Sequence, residues 1–542
     1  MLTRGGSLRE AKFRTGEPPD ARRVRVYRSD AYPVIDLFAG PGGLGEGFAS
    51  EVDDKGRHRF HNMLSIERDE FSHRTLLLRH FFRHFPEGEA PDDYYDFLAG
   101  GITEAELFTR HPAAWQSAAR SALKISLGPE SHKQVRRMID EKLCASDRWA
   151  LVGGPPCQAY SLVGRSRMMS RPDFGQDERH TLYLEYLRII SDHRPPIFVM
   201  ENVKGLLSAT IEGKSAVARI IRDLSEPWSA IRSAPRDLSY KLYSLSEDEP
   251  AESDVDPRVF VVRAEEHGIP QARHRMFIVG IRSDLKVRPR VLRRMKPPTV
   301  RDTIGSLPAI RSSVSKAPDS PSIWLREIRR ISELGIRRQL NGFEYAGDIA
   351  QALEVQNLIT FNTPQESSST RYTFRHPRQE VLRSIYDERL TVLTAHDARS
   401  HMPSDLRRYF YASVFAETTG RSPRLADFPA ALLPDHQNVE LGRRGKMFSD
   451  RFRVQLADHV STTITSHICK DGHYFIHYDP AQCRSLTVRE AARLQTFRDN
   501  YYFAGPRTAQ YHQVGNAVPP QLARQIAEIV AEVLDSIRGS RR

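Results

Sequence analysis

The chain has 542 residues, which is too long for one ordinary hydrophobic core and indicates two or three domains. Its 80 Lys and Arg against 68 Asp and Glu give a formal net charge of +12, which favours a polyanionic partner but also suits many basic cytosolic proteins. Four cysteines in so long a chain exclude a disulfide framework, and no apolar run approaches the roughly 18 residues of a membrane span. We therefore expect a reducing, cytoplasmic compartment and no membrane association.

Residues 1–30 form a basic segment with little apolar content. They include eight Lys and Arg. Because so few apolar side chains cannot stabilise a packed core, we expect a flexible basic arm. Such an arm contacts nucleic-acid phosphates or is simply solvated.

An apolar strand from Tyr32 runs into a glycine-rich turn. The turn contains Gly40, Gly42 and Gly43, and a helix follows from about Leu44. Glycines let the backbone approach a ligand closely, and the free N–H groups of a helix start favour an electron-rich group. A glycine turn alone is typical of many nucleotide-binding folds, so it does not identify the ligand.

The next strand begins at Asn62 and ends at Glu67, about twenty residues beyond the turn. In a Rossmann-like sheet this position holds the carboxylate that accepts hydrogen bonds from ribose hydroxyls. The glycine turn and Glu67 together predict an adenosyl ligand. The alternative is a surface acid at the end of a strand.

A short apolar run at 150–152 stops at Pro155 and Pro156 and presents Cys157. Proline cannot donate to a sheet and fixes φ, so the two prolines end the strand and place the thiol on a rigid loop beyond its carboxyl end. Ligands of open α/β sheets bind at that edge. The alternative, a half-buried structural cysteine, is the commoner case for a lone Cys.

Two further polar groups are expected near the same edge. A helix from Thr181 leads to the buried strand 197–200, which ends in Glu201, and a parallel sheet brings Glu201 beside the Cys157 loop. Farther along the chain, Gln271, Arg273 and Arg275 alternate on one face of a strand that continues into the core. Such residues usually face water, but here they point towards the floor of a site.

Six sequence blocks stand out in this order: 36–43 (Asp-Leu-Phe-Ala-Gly-Pro-Gly-Gly), 154–161 (Gly-Pro-Pro-Cys-Gln-Ala-Tyr-Ser), 201–203 (Glu-Asn-Val), 271–275 (Gln-Ala-Arg-His-Arg), 484–497 (beginning Arg-Ser-Leu-Thr-Val-Arg-Glu) and 513–520 (Gln-Val-Gly-Asn-Ala-Val-Pro-Pro). In kind and order they resemble the blocks of the bacterial-type cytosine-5 DNA methyltransferases. The resemblance covers roughly residues 32–285 and 450–535. It implies an S-adenosylmethionine-dependent methyltransferase with an α/β, Rossmann-like sheet and helices on both faces of that sheet. It also implies an inserted, smaller target-recognition domain.

The resemblance also implies a division of the chain. The expected parts are the basic flexible arm (1–30), a catalytic domain (31–288) with a helical insert at about 103–145, the target-recognition domain (289–480), and a return segment with a C-terminal helix that completes the catalytic domain (481–542). Within 461–477, Asp471-Gly472 predicts the turn of a hairpin. His467, Cys469, His473 and His477 lack the paired spacing of a zinc site, so we expect no metal.

The resemblance implies the roles of the catalytic residues. Cys157 adds to carbon 6 of cytosine, so that carbon 5 can attack a methyl group. Glu201, protonated because burial raises its pKa, hydrogen-bonds the base at N3. Arg275 contacts the base O2, and Arg273 lies closer to backbone or to the cysteine loop. The base that removes the carbon-5 proton is not named by the sequence.

Two further sets of residues follow from the resemblance. The cofactor residues are Asp36, Phe38, Gly40, Gly42, Gly43, Leu44, Glu67, Pro156, Leu182, Asn516 and Ala517. The substrate is double-stranded DNA with its cytosine flipped out, and the DNA-contacting candidates are Gln158, Ser161, Arg165, Arg371, Arg451, Thr463 and Thr465. In one respect the chain departs from the family: where the third block usually carries an acid for the adenine amino group, the alignment gives Gly101, and the backbone or Asp96 replaces it.

The resemblance favours a monomeric, stand-alone modification enzyme of a restriction-modification or phage-defence system, paired with a separately encoded nuclease. Two other functions remain open at this point. One is a tRNA cytosine-5 methyltransferase, which uses the same cysteine chemistry. The other is a non-catalytic DNA-binding protein on the same fold.

Overall fold

The structure is a computed structural model, and it describes residues 27–144, 146–156, 178–211, 214–247, 250–251, 256–358, 364–435, 439–445 and 449–539. The strands are β1 (Tyr27–Leu37), β2 (His58–Glu67), β3 (Ala122–Lys124), β4 (Ala150–Gly153), β5 (Ile197–Val203), β6 (Thr210–Ile211), β7 (Lys214–Ser215), β8 (Tyr240–Tyr243), β9 (Pro250–Ala251), β10 (Val261–Arg263), β11 (Gln271–Ala272), β12 (His274–Arg282) and β13 (Ser461–Thr462).

The helices of the first half are α1 (Gly43–Ser50), α2 (Glu70–Phe82), α3 (Asp92–Leu98), α4 (Glu104–Arg110), α5 (Pro112–Ser121), α6 (His132–Leu143), α7 (Glu178–His193) and α8 (Ala216–Ser225). Those of the second half are α9 (Val300–Ile304), α10 (Pro321–Arg329), α11 (Ile336–Gln339), α12 (Ala346–Leu358), α13 (Glu380–Arg383), α14 (Pro403–Thr419), α15 (Val439–Arg443), α16 (Val488–Leu494), α17 (Arg507–Asn516) and α18 (Pro520–Gly539).

The main sheet has the strand order β3-β2-β1-β4-β5-β12-β8-β9, and β10 pairs with β12. Strands β1 to β5 run parallel to one another, whereas β12 is antiparallel to both β5 and β8. The chain leaves β1 for β2 on one side and enters β4 on the other, so the strand order reverses between β1 and β4. In open α/β sheets such a reversal creates a crevice at the carboxyl ends of the strands.

Helices cover both faces of the sheet, as predicted. Side chains that alternate along β1 fall into two cores: Ile35 packs with α6, α7 and α8, and Val34 packs with α1 and α18. Because both faces are buried, β5 begins with the uninterrupted apolar run Ile-Phe-Val-Met instead of alternating with polar residues. Helix α18 lies against α1 and shares a core with β1, so it packs on the same sheet as the first strands of the chain. The α/β class predicted from the sequence is confirmed.

The segment predicted as a helical insert, 103–145, also supplies a strand of the sheet. It contains α4, α5 and α6, but β3 lies between α5 and α6 and pairs in parallel with β2 through Glu67 and Lys124. The segment is therefore part of the sheet architecture. Residues 99–101, which the alignment treated as the third block, instead follow α3 and are exposed.

Among the described residues of 300–480, the regular structure is almost all helical, and long irregular segments connect the helices. Helices α10, α12 and α14 pack around a core that includes Trp324, Tyr409 and Phe410. The predicted hairpin at 461–477 is wrong: β13 pairs in parallel with β11, and a short 3-10 helix, Ser466–Cys469, follows it. Among the described residues, no helix is both long and apolar enough to span a membrane.

Candidate active site

A cavity of about 810 Å³ lies at the carboxyl edge of the sheet. Its lining follows the ends of five adjacent strands: Ile125 and Leu127 after β3, Ile66 and Glu67 on β2, 38–40 after β1, 154–156 after β4, and 201–203 on β5. Residues from 506 to 518, including Asn516 and Ala517, close it from the opposite side. The predicted cofactor residues Phe38, Gly40, Gly43, Leu44, Pro156 and Leu182 also line it.

The glycine turn is shaped by close approach of the chain's C-terminal part. Gly42 has φ +98° and precedes α1, and Gly40 has φ +57°. A Cβ on Gly43 would lie 2.3 Å from the carbonyl oxygen of Val518, so only glycine fits there. The turn therefore holds the C-terminal segment directly against the mouth of the cavity.

Glu67 is fixed at the end of β2 by backbone donors. Its Oε2 accepts a hydrogen bond from Gly40 N at 2.8 Å, and its Oε1 accepts from Arg68 N and Asp69 N at 2.8 and 2.7 Å. A carboxylate has about four acceptor positions, so the group still has capacity for a ribose hydroxyl. The cavity, the glycine turn and this acid fit an adenosyl ligand.

Asp36 does not line the cavity, contrary to its assignment as a cofactor residue. Its carboxylate is fully buried. A Cβ on Gly45 would lie 3.0 Å from Oδ2, which places the acid beneath the first turn of α1. Burial raises the pKa of Asp36 to about 7, against the opposing effect of Arg83.

Glu201 and Arg275 form an ion pair at the other end of the cavity. Arg275 Nε lies 3.1 Å from Glu201 Oε1, and both side chains are about 15% exposed. Burial raises the pKa of Glu201, while Arg275 and Arg273 act in the opposite direction. The carboxyl group therefore holds a proton more readily than a surface glutamate, yet stays beside a cation.

The Glu201 segment also supports the loop that carries the thiol. A Cβ on Gly154 would lie 2.9 Å from Glu201 Oε2, and the Asn202 side chain donates to the Pro155 carbonyl at 3.3 Å. The loop can be followed to Pro156, which lines the cavity. Cys157 lies outside the described residues, as do the predicted DNA-contacting Gln158, Ser161 and Arg165.

Arg273, counted among the catalytic residues and expected to lie close to backbone, does hold backbone with its guanidinium. The side chain is 1% exposed and donates to the carbonyls of Ile464 (2.8 Å) and Gly515 (3.2 Å). Gln271 holds the same residue, because its side-chain oxygen accepts a hydrogen bond from Ile464 N at 2.7 Å. Burial, reinforced by Arg275, lowers the pKa of Arg273. Arg273 is therefore a positioning residue that holds the backbone of Ile464 and Gly515 together. Gly515 immediately precedes Asn516, which lines the cavity.

A second cavity, of about 740 Å³, is lined by residues on both sides of Ile464, the residue that Gln271 and Arg273 hold. Three predicted DNA-contacting residues, Arg451, Thr463 and Thr465, line it together with Arg453, His467 and Lys470. Thr463 is held in place because its hydroxyl donates to the Ala272 carbonyl at 2.6 Å. Arg371 does not line this cavity and lies on an exposed stretch at 367–378.

The sequence did not single out several cavity residues. Ile125 and Leu127 follow β3, which was not expected as a strand, and Thr508, Ala509 and His512 lie on α17. The helical spacing of 508, 509, 512 and 516 was the available signal, because these positions share one helix face. His512 is further placed by Cys469, whose Sγ lies 3.2 Å from its Nε2.

Gly101 and Asp96, the residues considered for adenine recognition, are both exposed and outside the cavity.

His467, Cys469, His473 and His477 were considered as ligands of a metal ion. Within the described ranges, no group of three or more His, Cys, Asp or Glu side chains is arranged to hold an ion. His473 instead pairs with the Tyr409 hydroxyl at 2.7 Å.

Comparisons with known proteins agree with this geometry. The family described as C-5 cytosine-specific DNA methylase matches residues 114–532. A type II methyltransferase of Bacillus paralicheniformis, M.Bpa9945I, is 32% identical over 524 residues, covering 93% of this chain and 99% of the relative. A DNA (cytosine-5-)-methyltransferase of Aeropyrum pernix, M.ApeKI, is 26% identical over 432 residues, covering 73% of this chain and 83% of the relative.

The fold has a counterpart among solved structures. A crystal structure described as a DNA modification methyltransferase encoded within an E. coli prophage aligns with a TM-score of 0.51 and 18% identity, covering 93% of this chain and all of that one. The family match, the relatives and the strand order agree on the S-adenosylmethionine-dependent methyltransferase sheet. The chain belongs to the C-5 cytosine-specific DNA methylase family.

Proposed function

We propose that the protein methylates carbon 5 of a cytosine within a specific duplex DNA sequence, through a covalent bond between Cys157 and the base. The observation that carries the proposal is the single cavity that joins the glycine turn and Glu67 at one end to Glu201 and the Cys157 loop at the other. S-adenosylmethionine, bound along this edge, supplies an electrophilic methyl group. The protein's own side chains must then activate the base.

Activation begins with the thiol. Carbon 5 of cytosine is a poor nucleophile, and addition of a thiolate at carbon 6 gives it enamine character, so one difficult step becomes two easier ones. Pro155 and Pro156 fix the chain immediately before Cys157, and Glu201 and Asn202 support that turn. Cationic neighbours favour the thiolate, and Arg275 supplies a positive charge at this end of the cavity.

Glu201 assists by hydrogen bonding to the activated ring. Addition at carbon 6 places negative charge on N3, and a protonated carboxyl group donates to it. The raised pKa of Glu201, caused chiefly by burial, makes this form available. Arg275 holds the carboxyl group in place and has further donors for the base O2.

DNA would enter between the two cavities. A cytosine inside a duplex hides the reacting carbon, so the base must leave the stack, at a cost of a few kcal/mol that protein contacts offset. Arg451, Arg453 and Lys470 offer cations for phosphates, and Thr463 and Thr465 offer hydroxyls. The hydrogen bonds from Gln271 and Arg273 to Ile464 fix the lining of the second cavity relative to the first cavity.

The relatives named as type II methyltransferases support a role as the modification component of a restriction-modification system. A defence role, a separately encoded nuclease and a monomeric state belong to the same proposal. Genes adjacent to this one would be cloned and tested for cleavage of unmodified DNA. Cleavage that disappears after treatment with this enzyme supports the pairing, and cleavage that ignores the treatment contradicts it.

The central experiment uses the full-length protein, labelled S-adenosylmethionine, plasmid duplex and tRNA. We expect label at one short repeated motif in duplex DNA. Cys157→Ala should lower the rate at least about 1,000-fold while DNA is still bound. Cys144→Ala, at an exposed cysteine that ends α6, is the matched control and should retain wild-type activity. Label in tRNA alone, or full activity of Cys157→Ala, would refute the proposal.

A further inference from the structure

The second cavity has a lining that a phosphate backbone alone does not require. Its volume of about 740 Å³ falls in the range of small-ligand sites, roughly 300–1,000 Å³. Leu425 and Phe475 line it and are buried, whereas His467 and Lys470 line it and are exposed. The apolar residues therefore form its floor, and the exposed ones form its rim. Phosphates need cations and hydroxyls but no apolar floor, so the interior fits a nucleobase.

A thin partition separates this cavity from the first cavity. His512 lines the first cavity, and its Nε2 lies 3.2 Å from the Sγ atom of Cys469. Cys469 immediately precedes Lys470, which lines the second cavity. A duplex that delivers a cytosine to the first cavity therefore also covers the mouth of the second. This step rests on the proposed function.

Tyr474 offers the second cavity an accessible aromatic ring. The ring meets His467 nearly edge-on, at 80° and a centroid distance of 6.1 Å. The Arg453 guanidinium lies 6.0 Å from the ring centre, at the outer limit of a cation–π contact. Gln455 fixes the backbone, because its side chain donates to the Tyr474 carbonyl at 2.8 Å. Aromatic rings placed in this way hold bases that have left the stack.

The polar side chains beside this ring match the edge of guanine. Arg453 pairs with Asp450 and keeps further N–H donors for O6 and N7, the guanine acceptors that arginine most often reads. Asp471 supplies the acceptor that N1–H and the 2-amino group need. Its Oδ1 accepts from His473 N at 3.0 Å, but its Oδ2 lies 3.7 Å from His473 Nε2, beyond hydrogen-bond distance.

We propose that the second cavity binds the guanine that the flipped cytosine leaves unpaired, so that both bases of the target pair leave the duplex. Tyr474 stacks on the guanine, Asp471 accepts from N1–H and the 2-amino group, and Arg453 donates to O6. An unpaired base leaves the stack at a lower cost than a paired one, which favours this guanine over its neighbours. Arg451 and Lys470 remain available to the phosphates.

The test follows the two bases separately by fluorescence, with the full-length protein and duplexes of the site mapped in the central experiment. One set of duplexes carries 6-methylisoxanthopterin, a guanine analogue with the same hydrogen-bonding edge, in place of one guanine at a time. Another duplex carries pyrrolocytosine at the target. Both probes brighten when they leave the stack, and we expect at least about a 3-fold rise at the target and at the guanine opposite it.

The outcomes separate the inference from the proposed function. If pyrrolocytosine stays dark, no base is flipped, and the proposed function fails together with the inference. If pyrrolocytosine brightens while the guanine analogue opposite it stays dark, only the inference fails. A rise confined to other guanines of the site would also overturn it.

Variants distinguish binding in the cavity from simple loss of pairing. At saturating protein, Asp471→Asn and Tyr474→Leu should abolish the guanine signal and keep the target signal, which also shows that they fold. Tyr474→Leu should weaken DNA binding by about 5- to 150-fold, the loss of one stacked base. A guanine signal that survives both changes would place the base elsewhere and overturn the inference.

Two matched controls accompany these variants. Tyr474→Phe keeps the aromatic ring and should keep both signals. Asp458→Asn makes the same chemical change as Asp471→Asn at an exposed residue that pairs with Arg301 at 3.0 Å, outside both cavities. It should also keep both signals, and loss of the guanine signal in Asp458→Asn would contradict the assignment to this cavity.

Discussion

Arg275 Nε lies 3.1 Å from Glu201 Oε1, across the antiparallel pair of β5 and β12. The ion pair joins two residues 74 positions apart in sequence at the one place where the sheet changes from parallel to antiparallel pairing. The raised pKa of Glu201 shows that burial there outweighs the neighbouring cations. A carboxyl group that is both oriented by an arginine and easily protonated suits proton donation to a base.

Replacing Glu201 with Gln should lower the methylation rate by about 100-fold or more, because a positioned acid typically contributes 10²- to 10⁴-fold. Affinity for S-adenosylhomocysteine should change little. In the wild type, the rate should also fall as the pH rises through the raised pKa of Glu201, because the protonated form is then lost. Single-turnover rates at a series of pH values measure both effects.

The control for this change is Glu266→Gln. Glu266 lies between β10 and β11, and its carboxylate forms only long contacts with Arg263 and Arg294, at 3.5 Å each. Its variant should retain the wild-type rate and the wild-type pH profile. A Glu201→Gln enzyme with an unchanged profile would remove Glu201 from the proton-donating role.

Gly43→Ala should destabilise the protein and weaken cofactor binding. The added Cβ would lie 2.3 Å from the Val518 carbonyl oxygen, so the C-terminal segment must move away from the glycine turn. Overpacking of this kind costs about 1–3 kcal/mol. Urea unfolding and calorimetry with S-adenosylhomocysteine measure the two effects.

Gly128→Ala is the matched control, because a Cβ at Gly128 meets nothing within 4 Å and its φ is not positive. Its free energy of unfolding and its affinity should remain close to those of the wild type. Equal behaviour of the two variants would show that the close approach of Gly43 and Val518 is unimportant.

The sequence predicted the parts of the site that depend on strand ends. Glu67 and Glu201 each follow an apolar strand, and parallel pairing brings such ends to one edge. The strand β3 was missed because three residues, Ala-Leu-Lys, are too short to show a period of two. Without β3, the third sequence block was placed at residues 99–101, which are exposed and outside the cavity.

The remaining differences come from contacts between distant parts of the chain. Arg273 alternates in sequence with Gln271 and Arg275, but its partners are 191 and 242 residues away, at Ile464 and Gly515. The predicted hairpin fails for the same reason. The Ile464 N–H donates to the Gln271 side chain, and the Ile464 C=O accepts from Arg273. These backbone groups are therefore not available to pair with a strand at 473–477. No local pattern encodes such a choice.

Arg451→Ala should weaken DNA binding uniformly across sequences and reduce its salt dependence. One lost phosphate contact lowers the slope of log K against log salt by about 0.9. Arg136→Ala is the control, because Arg136 lies on α6 beside Asp192, 3.7 Å away, and outside both cavities. Fluorescence anisotropy from 50 to about 200 mM salt gives both slopes. An unchanged slope for Arg451→Ala would exclude this wall from the DNA path.

The protein should lose stability in mild acid through His396, which links the segments around Pro308 and Thr487. Its Nε2 donates to the Pro308 carbonyl at 2.8 Å, its Nδ1 faces the Thr487 hydroxyl at 3.1 Å, and burial lowers its pKa to about 4. The folded state therefore binds fewer protons than the unfolded state, whose histidine titrates near 6.5. The stabilisation is complete above pH 6.5 and is lost as the pH falls towards 4, by at most about 3 kcal/mol. Urea unfolding at pH 7.5, 6 and 5 measures the loss. His396→Gln, which keeps a donor for Pro308 but does not titrate, should show a shallower dependence on pH, and an unchanged dependence would assign the acid sensitivity to other groups.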